Sequence, residues 1–132
     1  MKIRLFSFGF KYGCPEANML LDVRFLPNPY WVPGLKERSG LNAEVAAYVL
    51  ESQAGREFLS RLEPLLFFML DSHLQAGREE FSCAVGCTGG RHRSVAVTEH
   101  LRRFIGEAVG SDALEVFHRD IERTDAPSTN LP

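Results

Sequence analysis

The sequence predicts an α/β fold, a three-layer sandwich built on a mainly parallel sheet. Three observations carry this expectation. Its 132 residues suit one domain with a real core. Short apolar, partly β-branched runs alternate with segments whose apolar residues recur at helical spacing, in the order β, β, α, α, β, α, β. Strands separated by helices favour parallel pairing with both sheet faces covered.

The first strand is "KIRLFSFGF", which sets Ile3, Leu5 and Ser7 against Arg4, Phe6 and Phe8 and ends at Gly9. The second apolar run, "NMLLDVRFL", is stopped by "PNPYWVPG", a stiff aromatic loop with three prolines in seven residues. Asn42 is placed to cap the helix "AEVAAYVLES". A second helical pattern runs through "REFLSRLEPLLFFMLDSHLQAG", with Phe58, Leu59, Leu62, Leu65, Leu66, Met69 and Leu70 as its apolar positions. Pro64 inside it predicts a kink or break. A third strand is expected over residues 79–86, a third helix over 93–109, and a last strand in "ALEVFHRD". The folded domain is expected to span 1–120, and the polar, proline-bearing tail 121–132 to fray.

Composition narrows the function classes. A hydrophobic content of 45% and charge of 24% are ordinary for a soluble globular protein, with no run long enough to span a bilayer and no signal peptide, so a cytoplasmic location is expected. Cys14, Cys83 and Cys87 form no CxxC pair, which argues for reduced thiols and against a zinc knuckle. No metal or cofactor is expected. A net charge of −2 gives no general pull toward nucleic acid. Yet three basic residues and no acid lie between Lys2 and Lys11, and four arginines face only Glu99 between Arg91 and Arg103. One basic face results if the fold joins these segments; Arg102 and Arg103 read more simply as a solvated helix face.

In an open parallel sheet, ligands sit beyond the carboxyl ends of the strands. The loops "GFKYG", "RFLPNPYW" and "GCTGGRHRS" are therefore candidates together. The last lies in "VGCTGGRHRS", residues 85–94, a strand-to-helix elbow whose free backbone N–H groups suit an anion. Gly89 and Gly90 allow positive φ and close approach of a ligand to the backbone, or merely make the turn. Cys87, Arg93 and Ser94 reproduce the C-x-x-G-x-x-R-[ST] spacing of cysteine-dependent phosphatases, in which arginine forks onto phosphate and a thiolate attacks phosphorus. Cys87 reads first as a small buried residue closing the strand, the commonest role of a free cysteine, and second as a reactive thiol. His92 can donate to phosphate or sugar oxygens. Asp22 or Arg24, at the end of the second strand, is placed to reach the same crevice, and Asp22 reads equally as a partner for an arginine.

The segments "FSFGFKYG", "DVRFLPNPYWVPGLKERSGLN", "VAAYVLES" and "VGCTGGRHRSVAVTEHL" together resemble the C-terminal domain of the RapZ/YvcJ family, the bacterial RNase adapter proteins. The resemblance covers about residues 3–120 and implies a phosphofructokinase-subdomain-like fold. It also implies a non-enzymatic domain that binds a phosphorylated amino sugar such as glucosamine-6-phosphate and, in RNA-regulating members, small RNA and a ribonuclease. The family's loop maps onto Cys87, Thr88, Gly89, Gly90, His92, Arg93 and Ser94, and Lys11 matches in the first loop. Tyr12 and Tyr30 stand where well-known members have histidine, and would face the sugar. The P-loop of the usual N-terminal domain, G-x-x-x-x-G-K-[ST], is absent, so the chain reads as a stand-alone C-terminal half. The basic tail of RNA-binding members is replaced by "ERTDAPSTNLP", which weakens the RNA expectation because Lys and Arg on phosphates dominate RNA affinity. Self-association is a further family expectation. The alternatives to a metabolite-binding module are an RNA-binding adapter without metabolite sensing and a phosphatase using Cys87 and Arg93.

Overall fold

The computed structural model of the chain describes residues 1–123; residues 124–132, most of the tail expected to fray, lie outside the described residues. The elements are β1 (Lys2–Gly9), β2 (Met19–Asp22), α1 (Ala43–Leu50), α2 (Gln53–Gln75), β3 (Glu80–Cys87), α3 (Arg93–Val109) and β4 (Leu114–His118), in the predicted succession. Short 3₁₀ turns occupy Phe10–Tyr12, Pro29–Trp31 and Ser111–Ala113. The fold is α/β, with an all-parallel sheet of strand order β2-β3-β1-β4 as its middle layer.

That order places a switch point between the two central strands. The chain leaves β1 to reach β2 on one side, and leaves β3 to reach β4 on the other. Their last residues, Gly9 and Cys87, are register partners, and Asp22 at the end of β2 pairs with Gly86. Connections diverging from adjacent strands open a crevice at the carboxyl edge, the favoured ligand position in such sheets.

The core explains the layers. Ile3, Leu5, Phe81, Cys83 and Val85 form one apolar face with Leu59, Leu62, Leu66 and Leu70 of α2 and Ala96, Val97, Leu101 and Ile105 of α3. On the opposite face Phe6, Phe8 and Ala84 are closed over by Phe10, Ala17 and Phe117, with Phe6 stacked on Phe117 at 4.8 Å. The expected alternation in β1 holds, with Ile3 and Leu5 on one face and Phe6 and Phe8, 5% and 0% exposed, on the other, and both faces are buried. A central parallel strand is buried on both faces and reads as nearly continuous apolar sequence.

Asn42 caps α1 as predicted, its Oδ1 accepting from the Glu44 and Val45 N–H groups at 3.0 and 3.2 Å. α2 begins earlier than expected because Ser52 Oγ accepts from Gly55 N at 3.0 Å. The predicted break at Pro64 does not occur: α2 is one helix across it. Pro64 is exposed, so the lost backbone bond lies where water can reach it. Leu59, Leu62, Leu66 and Leu70 are buried on both sides of it. At roughly 1.5–3 kcal/mol for each buried side chain, their packing outweighs the cost of about 3 kcal/mol for an interior proline. Leu65, one of the predicted apolar positions, instead faces outward with Phe67 and Phe68. Among the described residues no helix is long and apolar enough to cross a membrane.

Candidate functional site

The elbow occupies residues 88–92, between the end of β3 and the start of α3. Its two glycines differ in kind. Gly90 has φ +74°, and a Cβ there would lie 2.5 Å from Gly9 N, so the turn itself demands glycine. Gly89 has no positive φ, and a Cβ there would meet nothing within 4 Å. No feature of the folded chain requires glycine at 89. His92 precedes α3 without supplying a side-chain cap. Among the described residues, none of the backbone N–H groups from Thr88 to Val95 donates to a protein acceptor. Several such groups at one helix N-terminus concentrate positive potential where an anion can sit.

The side chains fall into two groups. Ser94 is fully buried, and Cys87, 2% exposed, donates its thiol to Ser94 Oγ at 3.1 Å. Arg93 is 5% exposed; its Nη1 donates to the carbonyls of Arg24 at 2.7 Å and Leu26 at 3.4 Å. Its Nε is buried with no hydrogen-bond partner. Burial lowers the Arg93 pKa, opposed by the neighbouring Cys87 and Asp22. Arg93 thus braces the loop after β2 through Nη1 while its buried Nε is left as an unspent donor.

His92 and Arg91 brace the next segment of the same loop. His92 Nε2 lies 2.9 Å from Lys36 O, and Arg91 donates to Glu37 O at 2.8 Å and Ile121 O at 2.9 Å. Burial lowers the His92 pKa, with Arg91 and Arg93 adding to the effect. The neutral ring that donates to Lys36 O retains an acceptor rather than a second donor, which alters the donor role expected for it. Asp22 is the partner of Arg24, at 2.9 Å to Nε and 2.7 Å to Nη2. That hydrogen bond holds the Asp22 carboxyl below its usual range. Arg24 also lies 3.9 Å over the Phe10 ring.

A cavity of about 460 Å³ opens beside the elbow, lined from all four strand ends. Of the predicted residues it brings together Lys11, Tyr12, Tyr30, Cys87, Gly89, His92 and Arg93. Thr88, Gly90 and Ser94 lie outside its lining and shape the elbow instead. Thr88 O accepts from Lys11 N at 3.2 Å, which ties the first loop to the third.

Asn28, Lys36, Glu37, Arg91 and Arg123 also line the cavity and were not among the predicted site residues. Asn28 carries a local signal, since its Oδ1 accepts from Tyr30 N at 3.1 Å and starts the Pro29–Trp31 turn. Lys36 and Glu37 lie inside the segment "DVRFLPNPYWVPGLKERSGLN" that carries part of the family resemblance, whereas Arg123 lies outside every such segment. The Tyr12 and Tyr30 rings steady cations: Lys36 Nζ is 4.5 Å from the Tyr30 ring and Arg123 4.6 Å from the Tyr12 ring. A separate cavity of about 600 Å³ lies among the helices, where Arg56, His100 and Arg103 line it. The arginines of residues 91–103 therefore do not form one basic face. Arg91 and Arg93 serve the elbow cavity, whereas Arg102 pairs with Glu99 at 3.0 Å.

Asp120 holds the floor. It is fully buried, accepts from Gly9 N at 2.7 Å, and takes ion pairs from Arg119 at 2.8 Å and Arg123 at 3.0 Å. It joins the end of β1 to the segment after β4. A second buried network runs from Ser7 Oγ to His118 Nδ1 at 2.7 Å and from His118 Nε2 to Glu99 Oε2 at 2.6 Å. It has the Ser–His–carboxylate order of a hydrolase triad with the two ring nitrogens exchanged, and Ser7 is 0% exposed and presents no face to a substrate.

The family model for the RapZ C-terminal domain matches residues 1–122. A protein named "Nucleotide-binding protein" from Geobacter metallireducens is 48% identical over 124 residues, 93% of this chain and 43% of that protein. A protein of the same name from a Nocardioides species is 46% identical, over 93% of this chain and 40% of its own length. Another from Bacillus thuringiensis is 43% identical, over 92% and 41%. The chain thus spans about two fifths of the length of these curated relatives.

Proposed function

This chain belongs to the RapZ C-terminal domain family, and on that premise we propose that it is a binding module for a small phosphorylated metabolite, with the elbow as the phosphate cradle. The observation that carries this reading is the row of unpaired backbone N–H groups from Thr88 to Val95 beside a cavity that the cationic Lys11, Lys36 and Arg93 help to line. Gly89 supports it, because a missing Cβ that the fold does not require leaves room for a ligand against the backbone. Arg93 Nε supplies a charge-assisted donor, and Tyr12 and Tyr30 face the body of the ligand. A phosphorylated amino sugar such as glucosamine-6-phosphate is the first ligand to test. The name of the longer relatives makes a nucleotide the comparison.

Calorimetric titration with glucosamine-6-phosphate, glucosamine, inorganic phosphate and a nucleoside monophosphate separates these contributions. Arg93→Lys keeps the charge but removes Nε. It is expected to weaken sugar-phosphate binding at least tenfold, about 1.4 kcal/mol. The reading fails if no phosphorylated compound binds at millimolar concentration, or if Arg93→Lys binds like the wild type. A second reading, cysteine-dependent phosphatase, is favoured by the short Cys87–Ser94 contact within the C-x-x-G-x-x-R-S spacing. An RNA or protein adapter role draws less on the elbow arginines, since Arg91 and Nη1 of Arg93 are engaged with backbone carbonyls there. A flat salt dependence in filter binding would remove the electrostatic RNA reading.

A further inference from the structure

The charge on the cavity wall exceeds what one phosphate needs. Lys11, Lys36, Arg91, Arg93 and Arg123 line it, against the single carboxylate of Glu37 among the described lining residues. Arg123 pairs with Asp120 but shares that single carboxylate with Arg119. Among the described residues, neither Lys11 nor Lys36 has a carboxylate within ion-pair distance; each ammonium lies instead by a tyrosine ring, Lys11 at 5.3 Å and Lys36 at 4.5 Å. A phosphomonoester brings about −1.5 to −2 at neutral pH. The elbow, with its N–H groups and Arg93, already suits that charge.

The two lysines come from elements unrelated to the elbow. Lys11 belongs to the turn after β1, and Lys36 to the loop after β2 that His92 and Arg91 hold in place through the carbonyls of residues 36 and 37. Two like charges gathered at one cavity, each resting on an aromatic face, repel until an anion joins them. We propose that this cavity takes a doubly anionic ligand, with a phosphate on the elbow and a second anionic group held by Lys11 and Lys36, the chemistry of a sugar bisphosphate or a phosphorylated sugar acid. The inference rests on the phosphate reading of the elbow and narrows its ligand class.

Titration of the full chain with inorganic phosphate, glucose-6-phosphate, fructose-1,6-bisphosphate and 6-phosphogluconate tests it. Both doubly anionic compounds are expected to bind at least tenfold more tightly than glucose-6-phosphate. Lys36→Gln should reduce that ratio at least threefold, while Lys2→Gln, at the opposite end of β1, leaves it unchanged. If only the bisphosphate gains, the second group is a phosphate; if only the sugar acid gains, it is a carboxylate. Either result supports the proposal. A ratio near one in the wild type, or a ratio that survives Lys36→Gln, overturns it while leaving the phosphate reading intact. Failure of every compound to bind overturns both.

Discussion

Substituting alanine at Gly89 and at Gly90, one at a time, separates a glycine kept for a ligand from one kept for the fold. At Gly90, φ is +74° and the added Cβ would sit 2.5 Å from Gly9 N and 2.8 Å from Phe8 C. The left-handed backbone costs an L-residue roughly 1–2 kcal/mol. Overlap with main-chain atoms that cannot rotate away adds roughly 1–3 kcal/mol. A more restricted unfolded chain returns about 0.4–1 kcal/mol. The net expectation for Gly90→Ala is a loss on the order of 3 kcal/mol, which lowers Tm by on the order of 10 °C in a domain of this size. At Gly89 neither penalty applies, since no positive φ and no atom within 4 Å oppose the new Cβ. Gly89→Ala should therefore match or slightly exceed wild-type stability. It should nonetheless bind phosphate and glucosamine-6-phosphate at least tenfold more weakly, because the methyl group occupies the approach to the elbow. Urea unfolding and calorimetric titration of both variants provide the measurements. Wild-type affinity in Gly89→Ala would refute the close approach of ligand to this backbone, and wild-type stability in Gly90→Ala would refute the account of the turn.

His92 predicts a pH dependence. Burial puts its folded pKa below the unfolded value of about 6.5, so as pH falls below that value the unfolded state takes the proton first and stability drops, by at most about 1.4 kcal/mol per pH unit, until the folded ring titrates too. Urea midpoints from pH 7.5 to 5 should fall more steeply for the wild type than for His92→Gln, and parallel curves would contradict this. Asp120→Ala removes the acceptor for Gly9 N and the partner of Arg119 and Arg123, and is expected to cost about 2–3 kcal/mol, since both arginines can regain water. A loss below about 0.5 kcal/mol in denaturant titration would show that this clamp does not matter. Hydrolysis of p-nitrophenyl phosphate should be no faster than in buffer, because Cys87 is 2% exposed and Asp22, tied to Arg24, is held ionised rather than ready to donate a proton. Turnover abolished by Cys87→Ser but kept by Cys83→Ser would establish the phosphatase reading instead.

Particular residues show where the sequence was legible. Asn42 announced its helix because a cap is local chemistry, an Oδ1 that reaches N–H groups two and three residues ahead. The elbow was legible for the same reason: an apolar strand, two glycines and a helical repeat follow one another directly. Pro64 misled because its local cost is offset by leucines whose partners lie elsewhere in the chain. Alternation in β1 was legible as two faces, Ile3 and Leu5 against Phe6 and Phe8, and the fold buries both. The site was half legible. Cys87, Gly89, His92 and Arg93 form one continuous motif, whereas Arg123 lies in a stretch read as a fraying tail and Lys36, though inside a family-like segment, has no local chemistry that singles it out.

The sequence by itself determined the succession of strands and helices, the elbow at residues 88–92 and the glycines that permit it, since each depends on contacts spanning a few residues. Tertiary structure alone decided how the elbow is furnished. The register of Gly9 against Cys87 brings the loop after β1 beside it, and the carbonyl contacts of Arg91, His92 and Arg93 pin down the loop after β2. The bonds from Gly9 N to Asp120 and from Arg91 to the Ile121 carbonyl draw in the segment after β4. Those contacts join residues roughly 30 to 110 positions apart. No local periodicity or propensity encodes such pairs, because the chain entropy of closing loops that long is repaid only when the whole sheet and its core form together.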